Sequence, residues 1–495
     1  MAITVSADNV IKNQQNIWNH ILFHPTDAIE DDWGQRILDE ISSDKAAGVV
    51  RIYSMMEDIV SMDEKGNLSY DFSLNDIRLD YLLEKGFTPM IAYAGIPGCI
   101  AKNTEEKSSV SYGKTRYKGK MWITSPPEDY GLWEDICYEY TNHIVERYGE
   151  DTVADWYLHC FNEPDIDPFF MKNFSVEEKC REYCRLYSGF EKGILRKSSK
   201  LRIGGPAIAG DFTFLEGFLK FISETKKKID YICFHNYGIT VEGLLDNTED
   251  FTIENHFKKY DRVRETVKKY IPQGIEIVQD EWGACTGGFV QTDRCPKLIF
   301  RETEKFSAYY GKMITGFVKK YDDAGKIVIC LSGQHEMKSE FEGFRNFFSP
   351  NFIKKPIYNA YILAGKLCNL LLKDTTDNKN LSILSTKNED GKIAILLSYS
   401  SENFSEDLED LNETIEIQGV RGNKTIRLWK IDNKNTNPYG EYLKKGWGEK
   451  LTAEQIDYLQ KVSDLKPQSY EAKADGTVLI DVSLTANGLM LIEIE

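Results

Sequence analysis

From about residue 15 onward, short apolar runs alternate with longer stretches whose apolar positions recur every three or four residues. The short runs read as buried strands at 17–23, 49–53, 88–93, 155–161, 201–204, 231–234, 275–279 and 327–331. Helical periodicity fills 33–47, 75–85, 134–148, 176–195, 214–227 and 297–321, and returns at 357–372. Strands fed by helices pair in parallel, and eight such units over roughly 350 residues predict an α/β fold, the (β/α)8 TIM barrel. Past residue 372 the pattern changes. The polar stretch 373–380 reads as a linker, and short strands follow at 381–385, 393–399, 414–417, 424–430, 469–472, 478–482 and 489–494. Turn residues separate many of them, which is the pattern of a β-sandwich. The expected division is a barrel over 15–372 and a sandwich over 373–495, joined by a strand from residues 1–14.

Composition narrows the partners. The 495 residues carry a net charge of −17, which repels nucleic-acid phosphates and gives no attraction to an anionic membrane. No apolar run approaches the ~20 residues that span a bilayer. The opening Met1-Ala2-Ile3-Thr4-Val5-Ser6 has neither a basic nor a long apolar signal segment, so a cytoplasmic protein is expected. Ten cysteines are scattered without Cys-x-x-Cys spacing, as buried reduced thiols are. Cys180 and Cys184, four apart on a helix, read as two small apolar residues on one face and not as metal ligands, since no histidine stands near them. Homo-oligomerisation through the barrel helices or sandwich is compatible with the pattern.

Two predicted strands stop at an acid. The run 155–161 leads into Asn162-Glu163-Pro164, and Pro164, which cannot donate to a ladder, biases Glu163 toward an extended backbone. The run 275–279 leads into Asp280-Glu281-Trp282-Gly283. Strand ends gather at one mouth in this barrel, so Glu163, His235, Glu281 and His335 are expected to converge there. Hydrolysis of a glycosidic bond requires two carboxylates, one a proton donor and the other a nucleophile or base. Two-residue alternation puts Asp280 on the opposite side of its strand from Glu281, a structural position, and Asp165 reads as a loop cap. The long connection 95–130 is expected to wall a sugar pocket, with Trp122 either a stacking platform or a residue packing that loop on the barrel. Acid, nucleophile and carbohydrate substrate suffice, so no metal and no cofactor are implied.

Asn162-Glu163-Pro164 and Glu281 resemble the clan A glycoside hydrolases, and further stretches resemble glycoside hydrolase family 39, the β-xylosidase and α-L-iduronidase family. These are Phe234-His235-Asn236-Tyr237, Asp280-Glu281-Trp282, Lys355-Pro356-Ile357-Tyr358, and Leu428-Trp429-Lys430-Ile431-Asp432 with Asn435-Thr436-Asn437, Tyr439 and Leu451-Thr452-Ala453-Glu454-Gln455. The resemblance covers nearly the whole chain. It implies a retaining double displacement with Glu163 as acid/base and Glu281 as nucleophile, about 5 to 5.5 Å apart. Asn162 would then donate to the sugar 2-hydroxyl, and His235 or Tyr237 would orient the nucleophile. Arg51 would hold Glu281 ionised or form a plain interior ion pair. Tyr53 and Trp282 complete the expected sugar-binding set.

The sequence departs from that pattern in three places. Phe161 stands where the family has tryptophan, Arg51-Ile52-Tyr53 replaces Arg-Gly-His, and Phe341-Glu342-Gly343-Phe344-Arg345 carries two charges where xylosidases have small residues. Arg345 is expected to contact an acidic sugar or branched substituent, or else to pair with Glu342 at the rim. The expected activity is therefore exo-acting hydrolysis of short oligosaccharides, β-xylosides first. An α-L-arabinoside, a β-galactoside or β-glucoside, or a uronide is the alternative, and an inactive carbohydrate-binding protein the other reading.

Overall fold

The computed structural model describes residues 3–23, 28–108, 122–248, 251–288, 290–331, 337–402, 404 and 407–495; His335 and loop residues 109–121 lie outside them. In chain order the strands are β1 (Ile3–Asn13), β2 (His20–Phe23), β3 (Val49–Met55), a short hairpin of β4 (Val60–Met62) and β5 (Leu68–Tyr70), β6 (Thr88–Ala94), β7 (Tyr157–Cys160), β8 (Ile203–Ile208), β9 (Tyr231–Ile239), β10 (Glu276–Cys285) and β11 (Ala324–Leu331). A second group follows: β12 (Leu370–Thr375), β13 (Leu381–Lys387), β14 (Ile393–Tyr399), β15 (Leu411–Ile431), β16 (Gln468–Leu484) and β17 (Gly488–Ile494). Strands β2, β3 and β6 to β11 close into an eight-stranded parallel barrel, β11 pairing back onto β2. The eight predicted strands are these eight. Each is buried on both faces, which is why their sequences are continuously apolar instead of alternating.

Three helical readings change. Helix Glu254–Tyr270, between β9 and β10, goes unread in the sequence. Its buried stripe is His256, Tyr260, Val263 and Val267, correctly spaced, but only two of those four are aliphatic and the remainder of the segment is strongly charged. The segment 297–321 divides into a 3-10 turn, Pro296–Glu302, and helix Glu304–Lys320, with Thr303 extended between them. The helix read at 357–372 stops at Gly365, because the backbone of Leu370 to Leu372 pairs instead with Asn13, Lys12 and Val10 of β1. What reads as a polar linker is thus strand over its first three residues, 373–375.

β1 pairs antiparallel with β12 and parallel with β15. The second sheet runs β12-β13-β14-β17-β15-β16, and β1 bridges its two halves so that it folds around its own core of Ile3, Val5, Ile383, Ile395, Ile415, Ile480 and Ile492. Two pairs of predicted strands are single long strands here. Gly419 sits at a bulge in β15 with φ 83°, where an added Cβ would lie 2.6 Å from the Asp8 carboxylate, so the residue that reads as a turn keeps the strand going. This sheet packs directly on barrel helix Glu304–Lys320, where Ser398 donates to the Ala308 carbonyl at 2.6 Å. Among the described residues, no helix is long and apolar enough to cross a membrane.

The helices Tyr130–Tyr148 and Val176–Lys197 cross closely at Gly193, where an added Cβ would sit 2.6 Å from the Glu134 carbonyl oxygen and 2.8 Å from Cys137 Cβ. Gly193→Val is therefore expected to cost about 1–3 kcal/mol through overpacking. Thermal unfolding checks this as a lowered midpoint; an unchanged midpoint would contradict the crossing.

Candidate active site

The site is built around Arg51 on β3, whose side chain is fully buried. A buried guanidinium needs acceptors at every edge, and the surrounding strand ends supply them. Its Nη1 donates to Glu281 Oε1 at 2.8 Å, and its Nη2 donates to Asn162 Oδ1 at 2.8 Å and lies 3.0 Å from Asp280 Oδ2. His159 Nε2, on β7, takes Nε at 3.3 Å. His159 must be neutral to accept: burial and the Arg51 charge push its pKa down to about 3.

Glu281, on β10, is held from two further strands, β3 and β9. The Tyr53 hydroxyl lies 2.7 Å from its Oε1, and Tyr237 donates to Oε2 at 2.8 Å. Burial opposes its ionisation, but His235, Arg51, the Tyr53 hydroxyl and Arg345 outweigh that and hold it well below the usual carboxylate range. Glu163 goes the other way. Burial raises its pKa, and the charges on Glu281 and Asp165 add to this, against the opposing pull of His235. His235 joins the two, with Nδ1 2.7 Å from Glu163 Oε1 and 3.4 Å from Glu281 Oε2. Burial disfavours its charge, yet Glu281, Glu163 and Asp280 raise its pKa to about 10. One oxygen of Glu163, one of Glu281 and the imidazole nitrogen lie within 4.8 Å of one another.

Asp280 overturns the alternation argument. Where β10 passes β9, Gln279 stands opposite Phe234 and Glu281 opposite His235, leaving Asp280 as the extra residue of a bulge. The bulge turns two consecutive acids inward. Gln279 faces outward to Asn236 at 2.8 Å, whereas Asp280 faces Arg51 and lies 3.7 Å from His235 Nε2. Asp280 is read from the motif but placed on the wrong side of its strand, whereas His159 is not found by motif reading; a histidine within the apolar run 155–161 was the available signal.

Backbone geometry around Glu163 also differs from expectation. Its φ is 45°, not extended, and Phe161 has φ 66°. The Glu163 amide donates to the Ala207 carbonyl on β8 at 2.9 Å, and that cross-strand bond overrides the bias from Pro164. Asp165 caps the neighbouring loop as expected, accepting from the amides of Ala209, Gly210 and Asp211 at 2.8, 2.9 and 2.9 Å. Arg51 Nη2 and the Tyr53 hydroxyl stand 2.8 and 3.0 Å from the Asn162 oxygen, so these two contacts use its carbonyl end and not its amide NH2.

The other expected sugar contacts separate. Trp282 is wholly buried behind the barrel wall, stacked on Tyr310 at 5.8 Å and donating to the Tyr361 hydroxyl at 3.0 Å; the same bulge that turns Glu281 inward puts Trp282 outside. Trp122 is 3% exposed, donates to the Phe169 carbonyl at 2.9 Å and meets Phe161 and Tyr53 edge-on, so it packs the loop and supports Tyr53 from behind. Arg345 lies 5.0 Å from the centroid of the Tyr237 ring. Glu342 is directed elsewhere: its carboxylate accepts the Lys338 amide at 2.8 Å. The turn between them is clamped from below. Buried Glu302 accepts the Gly343 amide at 2.7 Å and Lys355 at 2.6 Å, while Arg301 donates to the carbonyls of Gly343 and Cys285 at 3.0 and 3.1 Å.

The chain as a whole is similar to known proteins. The profile of glycosyl hydrolases family 39 matches residues 1–478. A β-xylosidase of Caldicellulosiruptor saccharolyticus is 23% identical over all of this chain and 98% of its own length. One of Geobacillus stearothermophilus is 22% identical over 88% of this chain and 82% of its own. Among solved structures, a monomeric β-xylosidase from Caulobacter crescentus CB15 superimposes with a TM-score of 0.82 at 20% identity, covering 100% of this chain and 99% of its own.

The charges predict a pH signature. The folded pKa of His235, about 10, exceeds the ordinary 6.5, so its charge adds stability that is full below 6.5 and lost as pH rises toward 10. Asp280 and Glu281 are both depressed, and add stability present above about 4 that is lost on acidification. His235→Gln is therefore expected to unfold at a lower temperature than the unsubstituted protein at pH 6, with the gap closing toward pH 10. A gap that widens with pH would contradict a charged His235.

Proposed function

The chain belongs to glycosyl hydrolases family 39, and on that premise we propose that it is an exo-acting β-xylosidase, with Glu163 as acid/base and Glu281 as nucleophile. The observation that carries the assignment is the opposed ionisation of two carboxylates with oxygens within 4.8 Å of one another. Oxygens that close support direct attack by one carboxylate, the shorter of the two arrangements glycosidases use.

In the first step, protonated Glu163 gives its proton to the leaving oxygen while ionised Glu281 attacks the anomeric carbon. Four groups hold Glu281 in its attacking form: Arg51, Tyr53, Tyr237 and His235. The Asn162 NH2 binds the sugar 2-hydroxyl, a bond that strengthens as positive charge grows on the ring. Once the ester to Glu281 forms, its negative charge is gone and the Glu163 pKa falls. Glu163, now ionised, takes a proton from water, which attacks the anomeric carbon and releases Glu281.

Xylose is favoured by the names of the two curated relatives, both β-xylosidases. A uronide is the second reading, favoured by one observation: Arg345 sets a cation over the Tyr237 ring beside Glu281.

A panel of aryl glycosides separates these readings: β-xyloside, α-L-arabinosides, β-glucoside, β-galactoside and uronides. Release from the β-xyloside, abolished in Glu281→Gly, is expected. Glu163→Ala should lose ~10²–10⁴ in rate on poor leaving groups, keep turnover on very good ones and respond to azide. Since Glu281 ionises well below 4.5 and Glu163 above it, kcat/KM should be bell-shaped, falling in acid as Glu281 protonates and in base as Glu163 deprotonates. Full activity of either variant would remove the assignment.

A further inference from the structure

Glu163 stands on a backbone that has to be held from outside. Its φ of 45° and the 56° of Ala207 lie in the left-handed region, which residues with side chains keep only where surrounding contacts impose it. The Glu163 amide donates to the Ala207 carbonyl at 2.9 Å, and two residues on, the Asp165 carboxylate accepts the amides of Ala209, Gly210 and Asp211. The candidate acid/base and residues 207–211 therefore fix one another. Asp165 is 3% exposed, so a carboxylate two residues from the proton donor sits out of water and calls for an opposite charge.

Helix Glu254–Tyr270 supplies it. Lys259 donates from Nζ to the Ala209 carbonyl at 2.9 Å, on the residue whose amide Asp165 accepts. Gly210 lets the amine come near, since a Cβ there would lie 3.3 Å from Nζ. The same helix is tied to β9, the strand of His235: Asn255 donates to the Gly238 carbonyl at 2.9 Å, and Asn236 donates to the His256 carbonyl at 3.2 Å. It thus bridges the segment that takes the Glu163 amide and the strand whose histidine touches the Glu163 carboxyl.

Charge gives Lys259 a second effect. Burial pushes its pKa down to about 8, against the pull of Asp165 and Glu163, so at neutral pH it stays a cation. The charges acting on Glu163 come from His235 on β9, Glu281 on β10, Asp165 in its own loop and Lys259 on the helix. His256, nearly one turn before Lys259, is neutral, because burial and the Lys259 charge push its pKa down to about 3. We propose that Lys259 and Asp165 are a pair of positioning residues for Glu163, clasping Ala209 by its carbonyl and its amide and biasing the Glu163 carboxyl with opposite charges. This role rests on the glycosidase reading above, and neither residue is assigned a contact with the sugar. Removing the cation favours the protonated form of Glu163, and removing the anion favours the ionised form.

The test measures kcat/KM against pH for Lys259→Met and Asp165→Asn on aryl glycosides of the sugar that the panel identifies, one with a poor and one with a very good leaving group. Since Glu163 acts in its protonated form, the basic limb should move to higher pH in Lys259→Met and to lower pH in Asp165→Asn. On the poor leaving group Lys259→Met should also lose about ten-fold at its optimum, part of the ~10²–10⁴ a positioned acid contributes, and about two-fold at most on the very good one, which needs no proton. A merely structural role would lower both rates alike and leave the limb in place. Equal losses on the two substrates, an unmoved limb, or displacement of both variants in one direction overturns the proposal. Should Lys259→Met not fold, Lys259→Gln, which keeps a donor but no charge, is read for the same upward displacement. If the unsubstituted protein hydrolyses no aryl glycoside, the glycosidase reading fails by itself, and the carboxyl NMR resonance of Glu163, identified by its loss in Glu163→Gln, replaces the rate. Opposite displacements of its titration in the two variants support the pair; a common or absent displacement overturns it.

Discussion

A guanidinium with no contact to water cannot be left unpaired in a barrel interior, and satisfying Arg51 dictates how the site is assembled. Removing a charge from water costs several kcal/mol even after relaxation, so acceptors must stand on every edge. β7 supplies His159, the turn after it supplies Asn162, and the bulged β10 supplies both Asp280 and Glu281. One cation therefore ties together the ends of three strands. It also explains why His159 is neutral in a cluster of acids: the lone pair it offers Arg51 excludes a second proton.

The same cluster separates two chemically identical side chains. Glu281 takes donors on both oxygens, which lowers its pKa; Glu163 has His235 at 2.7 Å, yet its burial and the charges of Glu281 and Asp165 raise its pKa. His235 touches both, and its own charge exists because three carboxylates face it. A proton donor beside an ionised carboxylate follows from these contacts without any metal being invoked.

Rigidity around the mouth comes from polar contacts that are themselves buried. Glu302 and Lys355 form an ion pair with almost no exposure, and its acceptor oxygen also takes the Gly343 amide, so the turn carrying Arg345 is fixed to helix Pro356–Gly365. Breaking such a pair leaves one buried charge uncompensated, which makes the turn's position as firm as the helix below it. The second sheet contributes in the same manner, through Asn437 on Glu304. Its excursion Pro438–Lys445 is held against the barrel by that bond and by the contacts of Tyr439 and Tyr442 with Phe341.

Much of this was legible in the residues alone. Eight apolar runs separated by helical periods determine a parallel barrel, since strands buried on both faces can be covered only by helices. Acids at two strand ends determine which residues meet at its mouth, and Arg51 and Tyr237 lie in phase with them on β3 and β9. The bulge in β10 was not legible: alternation along one strand contains no record of a register shift set by its neighbours, and that shift brings Asp280 in and sends Trp282 out. Nor was the division of the second sheet, where Gly419 reads as a turn until Asp8 and β16 are seen packed against it. Sequence determines what each segment buries and what chemistry it carries. Only tertiary structure decides which of two adjacent side chains faces the site, because that choice depends on hydrogen bonds to strands far away in the chain.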